Sequence, residues 1–203
     1  MKKSTYLIVF LVLALSGWSC SVYQTMVNIS RLKFKLDQVS NFQINGVDVS
    51  NKAKLKDFSA VEILKISSSF AKGKLPASFI INVQAKNPND GSGGYPSTNA
   101  VIKSFPWKLI IDDKEIISGN ISSPVSVPGT GEVTVIPIQL NIDLMDFFKD
   151  KGYESIINLA LNIGGYKSSA MNIALLARPT VSTVIGNITY PGELKIVSYQ
   201  FTE

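Results

Sequence analysis

A chain of 203 residues, 45% apolar and 17% charged, has the length and composition to bury one sizeable core and is not an intrinsically disordered polymer. The formal charge of +5 includes Lys2 and Lys3 of a targeting segment; without them the basic count falls from 20 to 18 against 15 acids, or about +3, too mild and scattered for a nucleic-acid footprint. No histidine is present, so the commonest general base and the commonest transition-metal ligand are both missing.

Met1-Lys2-Lys3 is a short positive region, and Tyr6 to Leu15 is an apolar run of about ten residues, short of the roughly 20 needed to cross a bilayer. Ser16-Gly17-Trp18-Ser19 then leads into Cys20. As the one cysteine, Cys20 excludes an internal disulfide and a cysteine zinc cluster. Small residues before a lone cysteine resemble the bacterial lipobox, in which that cysteine is diacylated and becomes the new N-terminus. Gly17 stands where leucine is usual, and Trp18 is bulky. The alternative is an ordinary secretory signal with an incidental cysteine. At roughly 0.8 kcal/mol per buried methylene one acyl chain holds marginally, whereas two or three hold for practical purposes permanently. Ser21 after the cysteine, where aspartate would signal inner-membrane retention, is permissive for the outer membrane, and Ser21 to Gln24 lack an acidic surface-export cluster. The expected address is the bacterial cell envelope, at the periplasmic face of the outer membrane. The expected division is a lipoprotein signal peptide over 1–19, a tether over 20–28 and a β-sandwich domain over 29–203.

From Ile29 to Asp37, Leu32, Phe34 and Leu36 alternate with Arg31, Lys33, Lys35 and Asp37, which predicts a first strand with a basic outer face. That face could touch anionic lipid near the anchor; a solvated strand face is the simpler reading. Val39 to Ile44 and Val47 to Val49 flank Asn45-Gly46, a strong hairpin signal because both turn positions want positive φ. A helix follows, capped by Asp57 or Ser59, with Val61, Leu64 and Phe70 as its apolar stripe and Gly73 beyond its end. Ile63 and Ile66 blur that stripe.

Ser78 to Asn89 carries the clearest pattern in the chain. Phe79, Ile81, Val83 and Ala85 share one side of an extended strand, and Ile80, Asn82, Gln84 and Lys86 the other. Pro88 stops it, because proline has no N–H to give a ladder and biases Asn87 towards an extended conformation. Asn87 and Asn89 could be ligand-binding amides, but asparagine at a corner more often satisfies nearby backbone. Gly91 to Ser97 reads as a flexible loop. Trp107, Leu109 and Ile111 alternate into a turn at Asp112-Asp113-Lys114 and a return strand over Glu115 to Ser118. A calcium loop would need six or more ordered oxygens, which the two aspartates do not supply. Phe105 and Trp107 could make a binding patch or pack beside Pro106 in the core.

Val125 to Val127, the Pro128-Gly129-Thr130-Gly131 turn and Val133 to Ile142 read as another strand pair, with Ile136, Ile138, Leu140 and Ile142 inward. Pro137 marks an edge or a bulge. Asp143 predicts an N-cap for a helix over Leu144 to Lys151, with Gly152 past its end. A further helix over Tyr153 to Ile163 ends at Gly164-Gly165. Met171, Ile173 and Leu175 start a strand that reaches Arg178-Pro179, Val181 to Ile188 is a short strand or loop, and Leu194 to Phe201 closes the sheet with Val197, Tyr199 and Phe201 on one side. Asn28, Asn120 and Asn187 each open an N-x-S/T sequon, of little consequence in a bacterial lipoprotein. Eight to ten strands at hairpin spacing with two or three helices predict a mainly β, antiparallel sandwich, not βαβ winding.

The run Phe79 to Asn89, the hairpin Trp107 to Gly119 and the Val127 to Glu132 turn together resemble the late-embryogenesis-abundant type 2 family, also called the water-stress and hypersensitive-response domain. In that family an alternating strand ends in N-P-N, matched here by Asn87, Pro88 and Asn89. The resemblance covers Phe79 to Asp146. The loop Asp90 to Asn99 and the helices after Asp143 depart from the minimal plant domain and are similar to bacterial lipoprotein members. It implies an immunoglobulin-like or fibronectin-like sandwich, no established catalysis, and an association with desiccation or envelope stress. A fold does not fix a function. The resulting expectation is a non-enzymatic, lipid-anchored envelope protein with no cofactor and no metal, its partners being the membrane through Cys20 and a protein or apolar ligand. The alternatives are a periplasmic carrier holding an apolar ligand between helices and sheet, which requires a dry cavity there, and an enzyme, for which no histidine and no G-x-S-x-G motif are at hand.

Overall fold

The computed structural model describes residues 32–92, 97–165, 173–183 and 186–202. The leader, Cys20, Ser21 to Gln24, Asn28, residues 29–31, part of the Gly91 to Ser97 loop and Met171 lie outside them. Among the described residues the chain runs through β1 (Lys33–Ile44), β2 (Val47–Asp48), α1 (Ala60–Ala71), β3 (Pro76–Lys86), β4 (Ala100–Ser104), β5 (Trp107–Ile111), β6 (Lys114–Gly119), β7 (Val125–Val127) and β8 (Val133–Asp143). It continues through α2 (Leu144–Phe148), α3 (Tyr153–Gly164), β9 (Ile173–Ala177), β10 (Thr180–Thr183), β11 (Gly186–Thr189) and β12 (Leu194–Ile196).

All the strand pairings are antiparallel, and the chain is mainly β. One layer is the sheet β2-β1-β3-β8. Its period of two follows the sequence: Phe34, Leu36, Phe79, Ile81, Val83, Ala85, Ile136, Ile138 and Leu140 are buried, and the residues between them face outward. The facing layer comprises two four-stranded sheets, β12-β9-β5-β6 and β11-β10-β4-β7, set end to end. β4 runs on into β5 and β9 into β10, and each passage contains a proline, Pro106 or Pro179. Thr180 pairs with Ser104 on one side of this break, and Trp107 with Ala177 on the other. Proline has no N–H and fixes φ, so a regular ladder cannot pass through both positions. One backbone bond crosses the gap, from Arg178 N–H to the Pro106 carbonyl at 3.0 Å. Phe105, wholly buried at the break, meets Phe34 of the first layer with ring centroids 5.3 Å apart.

Several local expectations hold. Asn45 and Gly46 have φ of 49° and 70°, as the β1–β2 turn requires, and Asp112 and Asp113, at 49° and 60°, make the same kind of turn between β5 and β6. Ser59 caps α1 by accepting from Glu62 N–H, while Glu62 Oε2 accepts from Ser59 N–H at 2.7 Å. Gly73, at φ 69°, ends that helix by donating to the Phe70 carbonyl while Lys74 N–H reaches Ser69. Asp143 caps α2 by accepting from Met145 N–H at 3.0 Å, and also accepts from Leu75 N–H at 2.7 Å. α3 buries Ile156, Ala160 and Ile163 and gives way at Gly165.

Other expectations are corrected. The strands expected over Ile29 to Asp37 and Val39 to Ile44 form one strand from Lys33, because irregular register after Leu36 and again after Ser40 lets β1 bend without ending. β4 went unforeseen, its five residues lying hidden between a glycine-rich loop and Pro106. β7 and β8 are not a pair: β7 bonds to β4 and β8 to β3, so the Pro128–Gly131 turn carries the chain between layers. On α1 the inward residues are Ile66, buried, with Ile63 and Phe70 packed against the core, whereas Val61 and Leu64 are 75% and 68% exposed. The helix over Leu144 stops at Phe148, and Gly152 is the N-cap of α3. The last strand stops at Ile196, which is its buried residue, and Tyr199 is exposed. Val197 and Thr202 instead bond to the free edge of β1 at Leu36 and Phe34.

Candidate functional site

The most organised polar cluster among the described residues is the corner after β3. Pro88 ends the strand, and the chain turns with Asn87 and Asn89 both buried. Asn87 Nδ2 donates to the Thr98 carbonyl at 2.8 Å and to the Val127 carbonyl at 3.2 Å, and its Oδ1 accepts from Asn89 N–H at 3.1 Å. One amide thus serves the corner itself, the approach to β4 and the end of β7. Thr98 N–H returns a bond to the Asn89 carbonyl, Gly129 N–H donates to Asn99 Oδ1 at 3.0 Å, and Ser97 Oγ donates to the Gly129 carbonyl at 2.8 Å. Gly129 fits because it lacks a side chain: a Cβ there would lie 2.5 Å from the Thr98 carbonyl oxygen and 2.8 Å from that of Asn89. Three chain segments and both layers meet at this clasp. All its short-range partners are backbone groups or neighbouring side chains, so it fastens the sandwich and leaves no amide turned outward at Asn87.

Sequence reasoning found Asn87, Pro88, Asn89 and the proline-glycine turn separately, but not that Thr98, Asn99 and Gly129 join them. Asn120, read only as part of a sequon, has a structural role: its Oδ1 accepts from Phe105 N–H at 2.6 Å and from Ile121 N–H at 2.9 Å, beside the proline break. Trp107 packs in the core, its ring flat over Gly119, where a Cβ would lie 2.6 Å away. Its Nε1 is buried without a partner, beside a groove of about 510 Å³ between Asn120–Val125 and the β8 edge. An open cleft of about 720 Å³ lies on the outer side of β5, β9 and β12 and is bordered by Asp112, Asp113 and Lys195. α3 packs closely on β1 at Gly164, whose Cβ would lie 2.4 Å from Phe42.

The shifted titrating groups serve local structure. The Ser59 backbone N–H, and after it the Lys52 side-chain ammonium, hold the Glu62 carboxyl below its usual range, and the Ala53 N–H does most to lower Asp57. Glu193 raises Lys108 through a 2.9 Å ion pair, and burial alone raises the Tyr153 and Tyr190 hydroxyls. Among the described residues no group of three or more acidic, histidine or cysteine side chains could hold a metal ion, and no helix is long and apolar enough to cross a membrane.

No family model matches the chain, and no curated protein does. Two solved structures share features with it. One is the solution structure of a protein provisionally called late embryogenesis abundant (LEA), 18% identical with a TM-score of 0.37, covering 98% of this chain and 88% of that one. The other is the crystal structure of a protein from Archaeoglobus fulgidus, 11% identical with a TM-score of 0.32, covering 82% of this chain and 99% of that one. Both scores lie below 0.5, so neither likeness carries weight, and the sandwich rests on the strand registers themselves.

Proposed function

We propose that this chain is a non-enzymatic, lipid-anchored protein of the bacterial cell envelope, of the late-embryogenesis-abundant type 2 class, acting by binding or by protection under desiccation or envelope stress. The observation that carries the reading is Cys20: the one cysteine, placed directly after a positive start, a ten-residue apolar run and a stretch of small residues. The body that would follow is a sandwich whose most elaborate polar cluster is used up internally, at Asn87. The ordered set N-P-N, Trp107 hairpin and proline-glycine turn supports the class, and the absence of histidine supports the non-enzymatic part.

Expression of the full chain in a bacterium that processes lipoproteins tests this. The expected result is a membrane-bound product whose N-terminal peptide begins at Cys20 and carries the mass of a diacylglyceryl group. Cys20→Ala is expected to abolish both. A product cleaved elsewhere, unacylated and free of the membrane, overturns the reading.

A further inference from the structure

The first layer has two very different outer ends. On its solvent face the registers place Lys33 opposite Lys86 and Lys86 opposite Val133, and in the next row Lys35 opposite Gln84 and Gln84 opposite Val135. Three lysines therefore stand on two adjacent rows of one face. Like charges directly opposite each other on a sheet repel, so the arrangement is unfavourable unless something supplies negative charge. Among the described residues the ion pairs involve Lys52, Lys108 and Lys151, and neither Asp37 nor Glu132 pairs with this group. Lys35 instead lies 5.8 Å from the Phe201 ring centroid. Beside the lysines Val133 and Val135 are 46% and 48% exposed, large apolar side chains, whereas at the far end of β8 the outward residues are Gln139 and Asn141, with half-buried Ile80 opposite Gln139.

The same corner is where the chain leaves for the anchor. Twelve residues, Cys20 to Arg31, precede the first described residue, and at about 3.3–3.6 Å each they reach at most about 40 Å. We propose that this corner, Lys33, Lys35 and Lys86 flanked by Val133 and Val135, docks on the surface of an anionic lipid bilayer and so fixes how the sandwich stands on its membrane. The inference rests on the lipid-anchor reading for its geometry. Cationic side chains next to modest apolar ones suit that surface, because the ammonium groups meet headgroup phosphates while the valines shed water at the interface. A free polyanion would satisfy the lysines alone.

The test uses the full chain in vesicles of brominated phosphatidylcholine, with or without phosphatidylglycerol. Val135→Trp reports contact with lipid, Asn141→Trp is the reference at the far end of the same face, and the unsubstituted chain gives the background. Quenching of the Val135→Trp emission is expected in the anionic vesicles only. It should fall at high salt and vanish when Lys33, Lys35 and Lys86 are all replaced by Gln, while Asn141→Trp stays bright. Quenching indifferent to lipid charge or to those three substitutions overturns the proposal, as does equal quenching at both positions. Mass spectrometry of the Cys20 peptide reads the anchor separately. If Cys20 proves unacylated, only the anchor reading fails, and the corner is then read by flotation of the unacylated chain with the same vesicles. There each lysine is worth about fivefold in partitioning and the three on the order of a hundredfold. No flotation with anionic vesicles, or retention on heparin without it, overturns the docking site.

Discussion

Two asparagines take over where the strand ladders of this protein stop, and they do so in opposite surroundings. Asn87 is wholly buried and makes three hydrogen bonds that tie both layers together. Asn120 is exposed and accepts two backbone N–H groups beside the proline break. The comparison separates the bond count from its worth. Asn120 stands on the exposed side of its bonds, whereas the Val127 carbonyl and the Asn87 amide are buried together, and an unsatisfied buried group bears the full desolvation cost.

Replacing Asn87 by Asp is the most direct way to break the contrast. A carboxylate keeps the acceptor for Asn89 N–H but turns a second charged oxygen towards two carbonyls. A loss of about 3–5 kcal/mol is expected, a fall in melting temperature of roughly 10 °C or more. An unchanged melting curve would show that the site is wet and the comparison empty. Gly129→Ala strikes the same clasp sterically, through backbone oxygens that cannot swing aside, and is expected to cost about 1–3 kcal/mol by chemical denaturation. Asn120→Ala should cost only about 0.5–1.5 kcal/mol, since Asn120 is exposed and water can enter where its amide stood. If it costs as much as Asn87→Asp, exposure is not what decides. The mildest test is acid. Glu62 and Asp57 have carboxyls held below their ordinary values, so their contribution is present above the unfolded-state pKa and is lost as pH falls through the lower folded one. Amide exchange in the first turn of α1 should quicken below about pH 4 while that at Asn89 does not.

Much of the first layer was legible because a period of two survives on strands of eleven or twelve residues. The break was less so: Pro106 and Pro179 are visible singly, but their standing side by side depends on β5 pairing with β9. The β7–β8 error has the same origin. A proline-glycine turn between two apolar runs looks like a hairpin whether the runs bond to each other or to partners in different layers. On α1 the capping is readable, but the sequence does not separate Val61 and Leu64 from Ile63 and Ile66, since all four are apolar and only the neighbours decide which side is covered. At the clasp the corner was evident from Asn87-Pro88-Asn89, while Thr98 and Val127 are eleven and forty residues away along the chain. No local pattern points to them.

Pro137 sits in the middle of β8, at the rim of the first layer, and the register with β3 runs through it unbroken, Pro137 opposite Asn82. The donor it lacks is therefore missing on the outward side. An eleven-residue rim with a full set of donors would invite a second copy to zip alongside and seed fibrils, most of all when proteins are concentrated by drying. A gap at its centre leaves such a stack without its middle rung.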